Sequence, residues 1–177
     1  SGFDIREIMD NKKILLVNLS KGKLGDLNSQ LLGMIFVMKF QAAAMGRANI
    51  PEAERVDFTL YVDEFQNFAN ESFASILSEA RKYKLCLTVA NQFIAQMEES
   101  IRDAVFGNMG TTVAFRVGPL DAEFMEKVFA PVFTQEDLQN IAFGQYYLTL
   151  QIDNMGSKPF SAQGLLPIPP LQTSMRQ

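Results

Sequence analysis

The sequence lacks several residues on which common chemistries depend. Among its 177 residues there is no histidine, no tryptophan and a single cysteine. The absence of histidine excludes a His-ligated metal site and a His-based catalytic triad, and one cysteine cannot form an internal disulfide. This pattern fits a reducing compartment. The single cysteine, Cys86, lies in an apolar run, so we expect it to be a small core residue.

Charge is also limited. The chain has 16 basic and 20 acidic residues and a net charge of −4, which gives no overall affinity for nucleic acid or anionic membranes. Basic residues are denser in the first 50 positions, where two interpretations stay open: a solvated surface, which we favour, and a modest basic patch. The residues concerned are Lys12, Lys13, Lys21, Lys23, Lys39 and Arg47.

Long hydrophobic runs are missing as well. The most membrane-like run, Leu31–Met38, is far shorter than the roughly 20 residues that span a bilayer. Acidic residues interrupt the N-terminus, which therefore does not read as a signal peptide. We expect a soluble chain with no direct membrane contact.

What is present is an alternation of short apolar runs and longer amphipathic segments, typical of a parallel sheet covered by helices. The pattern predicts an α/β fold with a three-layer sheet, in which ligands bind beyond the carboxyl ends of the strands. The predicted strands are Lys13–Leu19, Phe58–Val62, Leu85–Ala90 and Thr111–Val117, with a hairpin of Tyr146–Ile152 and Pro159–Ala162. The predicted helices are Leu27–Met45 capped by Asp26, Ser72–Tyr83, segments around Phe93–Met97 and Ile101–Phe106, Asp121–Phe129, and a short helix capped by Thr134.

Polar residues follow two of these strands. Asp63 and Glu64 come directly after Phe58–Val62, and Gln92 follows the next strand. One carboxylate could orient a hydrated Mg²⁺ and the next could polarise an attacking water, while an amide could contact a γ-phosphate or that water. The alternatives are acids placed where the chain surfaces, and a helix-start glutamine.

Arg81 lies late on the helix that precedes the third strand. A guanidinium at a subunit border can reach a neighbouring site as an arginine finger. The alternative, and the better interpretation for this residue taken alone, is a solvated helix arginine near Glu79.

Three segments together are more specific: LYVDEFQNFA, SEARKYKLCLTVANQ and FGNMGTTVAFRVGPLDAE. They resemble the C-terminal part of the motor domain of TraG/TraD-type coupling ATPases of conjugation and type IV secretion, within the HerA–FtsK-like P-loop superfamily. The resemblance implies a RecA-like additional-strand sheet. It also implies that residues 1–164 are the C-terminal part of an ATPase domain and residues 165–177 a Pro-rich tail or linker.

The resemblance also implies roles. Asp63 and Glu64 match the Walker B motif, so Asp63 would coordinate Mg²⁺ and Glu64 would activate water, with Gln92 as the sensor. Arg81 matches a finger acting in trans in a homo-hexamer, and Arg116 is a weaker candidate for an intersubunit or phosphate contact. The parent would use ATP and Mg²⁺, contact DNA without sequence preference and meet secretion-machinery proteins. It would be cytoplasmic, or held at the cytoplasmic face of the inner membrane by segments absent here.

A phosphate-binding loop of the form G-x-x-x-x-G-K-[ST] is missing. The pair Gly22–Lys23 is followed by Leu24, and Val17 stands where the first glycine would be. We therefore expect this chain alone to bind nucleotide weakly and not to hydrolyse it, which leaves its status as an enzyme uncertain. It is either a fragment whose loop lies before Ser1 or, as the alternative, an interaction or scaffold module that binds no nucleotide.

Overall fold

The computed structural model describes residues 2–69, 73, 76–77, 79–153 and 155–165. The chain divides into two compact units, Ser1–Met109 and Gly110–Gln177. The domain limits predicted from the sequence, 1–164 and 165–177, stay a prediction, since almost all of the second segment lies outside the described residues.

The first unit combines helices with a pair of strands. The α-helices whose bounds lie within the described residues are α1 (Ile5–Asp10), α2 (Lys21–Leu24), α3 (Asp26–Met45) and α4 (Glu99–Asn108), and the described strands are β1 (Phe58–Val62) and β2 (Leu85–Val89). Short 3-10 helices span Gly46–Asn49, Glu52–Glu54, Phe65–Asn67, Ala80–Tyr83 and Ile94–Gln96. The predicted helical segment Phe93–Met97 is thus only a 3-10 turn. The expectation that Asp26 caps the long helix is wrong, since Asp26 is its first residue and Gly25, with φ of 78°, occupies the N-cap position.

Strands β1 and β2 are parallel, in a register that pairs Phe58 with Leu85 and Val62 with Val89. Their side chains alternate, so that one face of this small sheet packs on the core and the other is exposed. Cys86 lies on the exposed face. The expectations of strands buried on both faces and of a core cysteine are therefore wrong for the described residues.

The core of this unit forms between the inner sheet face and the helices. It contains Met9, Val37, Phe40, Ala44, Phe65, Phe73, Ile76, Ala80, Leu85, Met97, Ile101 and Val105. The apolar face predicted for the helix after β1 is confirmed, since Phe73, Ile76 and Ala80 are buried and Leu77 packs against them. The predicted limits Ser72–Tyr83 lie partly outside the described residues, and Ala80–Tyr83 is a 3-10 helix.

The predicted strand Lys13–Leu19 is not a strand. These residues run without ladder pairing, although Leu15 packs on the core. They line, together with α3 and β1, an apolar cavity of about 750 Å³. The burial expected of this apolar run is also wrong, since Ile14 and Leu16 are about nine-tenths exposed, and the side of β1 facing the run opens onto the cavity.

Arg47 corrects the interpretation of the basic N-terminal residues. Its side chain is fully buried, neither solvated nor part of a surface patch. Arg47 Nε donates to Asp10 Oδ1 at 2.9 Å, and Nη1 donates to the carbonyls of Val56 at 2.8 Å and Tyr83 at 3.0 Å. One guanidinium therefore joins α1, the end of α3, the entry to β1 and the turn before β2.

Helix α3 is longer than the run Leu31–Met38 suggests. With the 3-10 turn that follows, it extends over 24 residues to Asn49, and an 18-residue window within it has a mean hydropathy of 1.2. In the described part of the chain this helix alone is long and apolar enough to cross a membrane. Length and composition are weak evidence, because core helices pass the same test. Val37, Phe40 and Ala44 of α3 lie in the core.

The second unit is built on antiparallel pairing. Strand β4 (Gln145–Thr149) lies between β3 (Thr112–Ala114) and β7 (Phe160–Gln163), and β5 (Gln151–Ile152) pairs with β6 (Met155–Gly156). The predicted hairpin is confirmed by the pairing of β4 with β7. It is interrupted at Leu150, whose N–H donates to Ser157 Oγ at 2.9 Å. The predicted strand Thr111–Val117 shortens to β3 and pairs with β4.

Two helices of this unit, α5 (Pro119–Phe129) and α6 (Gln135–Gln139), agree with the prediction. Thr134 caps α6 as expected: its side chain accepts from the Asp137 N–H, and the Asp137 carboxylate accepts from the Thr134 N–H. These backbone and side-chain hydrogen bonds of Thr134 lower the pKa of Asp137. The described residues thus form a mixed α/β fold with small sheets.

Candidate functional site

The carboxyl ends of β1 and β2 lie side by side. Their parallel register ends at the pair Val62 and Val89, and the Ala90 N–H extends it by donating to the Val62 carbonyl at 2.9 Å. Asp63 and Glu64 follow the first strand and Gln92 follows the second. The segments that follow β1 and β2 therefore leave the sheet at the same edge, as the sequence predicted.

Glu64 has an unusual backbone conformation. Its φ of 51° and ψ of 44° place it in the left-handed region, which a non-glycine residue seldom adopts and which is enriched at functional sites. The turn is closed at once, because the Phe65 N–H donates to the Ala90 carbonyl at 2.9 Å. This conformation turns the chain sharply after β1 into the 3-10 helix Phe65–Asn67.

Two side-chain amides hold the Glu64 carboxylate. Gln92 Nε2 donates to Oε1, and Gln66 Nε2 donates to Oε2 at 2.6 Å. The structure thus brings Glu64 and Gln92 into direct contact. Gln66 was missed by the sequence reasoning, although its place two residues after Glu64, in the same tight turn, is a signal that could have found it.

Asp63 lies exposed beside this pair, and its Oδ1 accepts from the Glu64 N–H at 2.9 Å. No group of three or more metal-ligating side chains occurs within the described ranges. A single exposed carboxylate still fits Mg²⁺, which protein sites commonly bind through one or two carboxylates together with waters and substrate phosphates. The residues present are therefore suited to a metal that arrives with a phosphate ligand.

The turn after Glu64 is fixed on several sides. Asn67 donates to the Glu64 carbonyl through its N–H and its side-chain amide, both at 3.0 Å. Its Oδ1 accepts from Lys21 Nζ at 3.0 Å. Phe65 is fully buried against Phe73, with ring centroids 4.5 Å apart. The position of Glu64 is thus anchored in the core.

Helix α3 supports the same turn through Gly33. A Cβ at Gly33 would lie 2.1 Å from Cε1 of Phe68, the residue after the 3-10 helix. We expect Gly33→Ala to displace Phe68, to lower the free energy of unfolding by about 1–3 kcal/mol and to weaken the bond between Glu64 and Gln92. Chemical denaturation and the side-chain amide NMR signal of Gln92 measure the two effects.

Gly107 of α4 provides the matched control, because a Cβ there meets nothing within 4 Å. Gly107→Ala should therefore raise stability by about 0.5–1 kcal/mol. The double variant Gly33→Ala/Phe68→Leu should recover part of the loss. An unchanged Gln92 signal in Gly33→Ala would show that α3 does not position the turn.

Arg81 is not part of this cluster. It is exposed in the 3-10 helix Ala80–Tyr83, at the end of β2 opposite to Gln92. A five-residue strand separates the two ends by about 16 Å. Arg116 is exposed just after β3 in the second unit. Within the first unit, the structure thus unites Glu64, Gln92 and Asp63 and leaves Arg81 away from them.

Comparisons with known proteins support the resemblance seen in the sequence. A family model described as the TraM recognition site of TraD and TraG matches residues 57–135. No match was found among curated proteins.

Solved structures share the fold over most of the chain. One is the bacterial conjugative coupling protein TrwBdeltaN70 in an unbound form, with 15% identity, 94% of this chain covered and a TM-score of 0.74. Another is the plasmid coupling protein TrwB in complex with ADP and Mg²⁺, with 14% identity, 94% coverage and a TM-score of 0.74. A third is TrwB with the non-hydrolysable ATP analogue ADPNP, with 15% identity, 94% coverage and a TM-score of 0.68.

The chain spans 43–44% of the length of these three structures. At such identities they establish a shared fold, and the family match adds the segment that contains β1, β2 and the site. The chain therefore resembles a part of the TraG/TraD-type conjugative coupling proteins, as its sequence predicted.

Proposed function

We propose that this chain is the catalytic part of an ATP-driven motor of the conjugative coupling kind. The observation that carries the proposal is the contact between Glu64 and Gln92, directly beside Asp63, at the carboxyl ends of two parallel strands. This is where nucleotide-binding α/β proteins place their ligands. The solved relatives bound to ADP with Mg²⁺ and to ADPNP give further support.

The phosphate-binding loop would come from another part of the parent protein. On the edge away from β1, β2 has no strand partner among the described residues, so a further parallel strand fits there. Such a strand would extend the pair towards the three-layer RecA-like sheet. Because that loop supplies much of the triphosphate affinity, we expect this chain alone to bind ATP weakly and not to hydrolyse it.

Each residue has a distinct task in this proposal. Mg²⁺, when bound, neutralises charge on the phosphates. Asp63 would hold it through the exposed carboxylate, and Glu64 would accept a proton from the attacking water. Gln92 leaves Glu64 to contact the terminal phosphate. Arg81, remote from Glu64 in its own chain, would act on the site of the neighbouring subunit in a hexamer.

DNA and machinery proteins are the proposed partners of the parent. DNA contact would be to backbone phosphates and hence independent of sequence and sensitive to salt. A cytoplasmic location, or one at the cytoplasmic face of the inner membrane, follows from this role and is equally a proposal.

The test is ATP turnover by the parent protein with Mg²⁺, with and without DNA. We expect DNA-stimulated turnover, and we expect Asp63→Asn to raise the Mg²⁺ concentration needed for half-maximal rate by roughly tenfold or more. Asp103→Asn, an exposed substitution in α4, should leave the Mg²⁺ dependence unchanged. A parent that does not hydrolyse ATP under any of these conditions would contradict the proposal.

A second function is favoured by the family description, which names a TraM recognition site for the segment matching residues 57–135. The segment would then bind a partner protein and no nucleotide. Double substitution of Asp63 and Glu64 by alanine separates the two proposals. A motor loses its ATP turnover, whereas an interaction module has no ATP turnover to lose and keeps its partner binding.

A further inference from the structure

The two amides that hold Glu64 differ in their surroundings. Gln66 is half-buried within the 3-10 helix, whereas Gln92 is exposed in the segment after β2. Each donates to a different oxygen, Gln66 to Oε2 at 2.6 Å and Gln92 to Oε1. One partner is thus built into the turn and the other faces the solvent.

The backbone around Gln66 is firmly fixed. Phe65, its neighbour, is fully buried and donates from its N–H to the Ala90 carbonyl at 2.9 Å. Asn67, on the other side, donates twice to the Glu64 carbonyl. The amide of Gln66 is therefore held next to Glu64 independently of Gln92.

Packing alone does not explain an amide at this position. Gln66 Oε1 is buried and has no hydrogen-bond partner among the described residues. A buried acceptor left unpaired is unfavourable, and a methionine of the same length would fill the space without that penalty. Among the described residues, the bond to Glu64 is the one interaction that requires the amide, and unsatisfied buried groups of this kind call for an explanation.

We propose that Gln66 is a positioning residue that keeps the Glu64 carboxylate oriented when Gln92 moves to the terminal phosphate. This inference rests on the proposed function. In the hydrolysis step, the water oxygen bonds to the γ-phosphorus as the bond to the leaving oxygen of ADP breaks. The water proton passes to Oε1 of Glu64, the oxygen that Gln92 has released, while Gln66 continues to donate to Oε2.

The first arm of the test compares Gln66→Met with the unsubstituted parent protein in ATP turnover. We expect kcat to fall roughly tenfold to a hundredfold, because small displacements of a catalytic group have effects of this size, and KM for ATP to change less than about twofold. Thermal unfolding should show no loss of stability, since the unpaired acceptor is removed. Gln96→Met, an exposed substitution in the next turn, is the matched control.

The second arm uses the chain of residues 1–177 and needs no activity. Glu64→Gln should shift the side-chain amide NMR signals of both Gln66 and Gln92. In the unsubstituted chain, the side-chain amide of Gln66 should exchange with solvent more slowly than that of Gln92. An unchanged Gln66 signal overturns the inference at the level of the hydrogen bond.

The outcomes of the two proposals are distinguishable. Normal kcat for Gln66→Met in a parent that hydrolyses ATP overturns the role of Gln66 and leaves the motor proposal standing. A parent without turnover overturns the motor proposal, and the role of Gln66 in hydrolysis with it. A fall in kcat accompanied by a clear drop in the thermal unfolding temperature would show that Gln66 has a structural role, and this result would also overturn the inference.

Discussion

Arg47→Ala should lower the free energy of unfolding of the first unit by about 2–4 kcal/mol, because it opens a cavity in place of a fully buried side chain and removes the donor from two carbonyls. Arg47 is fully buried, and its guanidinium bonds Asp10 and the carbonyls of Val56 and Tyr83. Removing it leaves both carbonyls without this donor and opens a cavity where four chain segments meet. Urea denaturation followed by circular dichroism measures the effect.

Arg47→Met separates lost hydrogen bonds from lost volume, since methionine fills much of the same space. Nη2 of Arg47 is buried without a hydrogen-bond partner in the described part of the chain, so methionine also removes one unsatisfied group. We expect it to cost less than alanine. Lys39→Ala, on the exposed side of α3, should change stability by no more than about 0.5 kcal/mol. A loss below about 1 kcal/mol for Arg47→Ala would show that the buried guanidinium is not a structural tie.

Arg47 also marks a limit of reading the sequence. Nothing in its neighbourhood, GRANI, distinguishes a buried arginine from a solvated one, because its partners come from distant segments. Asp10 lies 37 positions away and Tyr83 lies 36 positions away. Burial of a charge depends on such non-local acceptors, and one sequence does not reveal them.

The site was more accessible to prediction than the sheet around it. The apolar runs of β1 and β2 define two strands, and parallel pairing brings their carboxyl ends together, so the meeting of Glu64 and Gln92 follows from local pattern alone. The left-handed backbone of Glu64 and the contact with Gln66 depend on how the turn closes. No residue in that turn is a glycine that would have indicated it.

The extent of the sheet could not be predicted in the same way, since the described strands form three small sheets. An apolar run predicts a buried strand, but both pairing and burial need neighbouring segments, and Lys13–Leu19 lines a cavity with Ile14 and Leu16 exposed. The outward faces of β1 and β2 carry Thr59, Tyr61, Cys86 and Thr88. The alternation of these residues with Leu and Val indicates a strand with one buried face. The high overall apolar content of the strands led instead to the prediction of a sheet covered on both faces.

Glu64→Gln should lower ATP turnover by the parent protein roughly a hundredfold to ten-thousandfold, the range that a general base contributes. Glutamine preserves the shape of the side chain but cannot take the proton of the attacking water. ATP binding should persist, because the phosphates are held elsewhere. Steady-state turnover and binding of a fluorescent ATP analogue measure the two properties, with the exposed Glu123→Gln as control. Equal turnover in both variants would exclude Glu64 as the activating residue.

The same variant tests whether Arg81 acts in trans. Subunits with Arg81→Ala and subunits with Glu64→Gln should each be inactive in uniform rings. In a mixed ring, an interface that joins an intact Glu64 from one subunit with an intact Arg81 from its neighbour regains activity, so turnover should rise with mixing and pass through a maximum near equal amounts. The position of Arg81 at the end of β2 away from Gln92 requires this geometry if the arginine is to reach a site at all. A flat response to mixing, with both variants shown to assemble together, would mean that Arg81 serves its own chain as a surface residue and that the finger lies elsewhere.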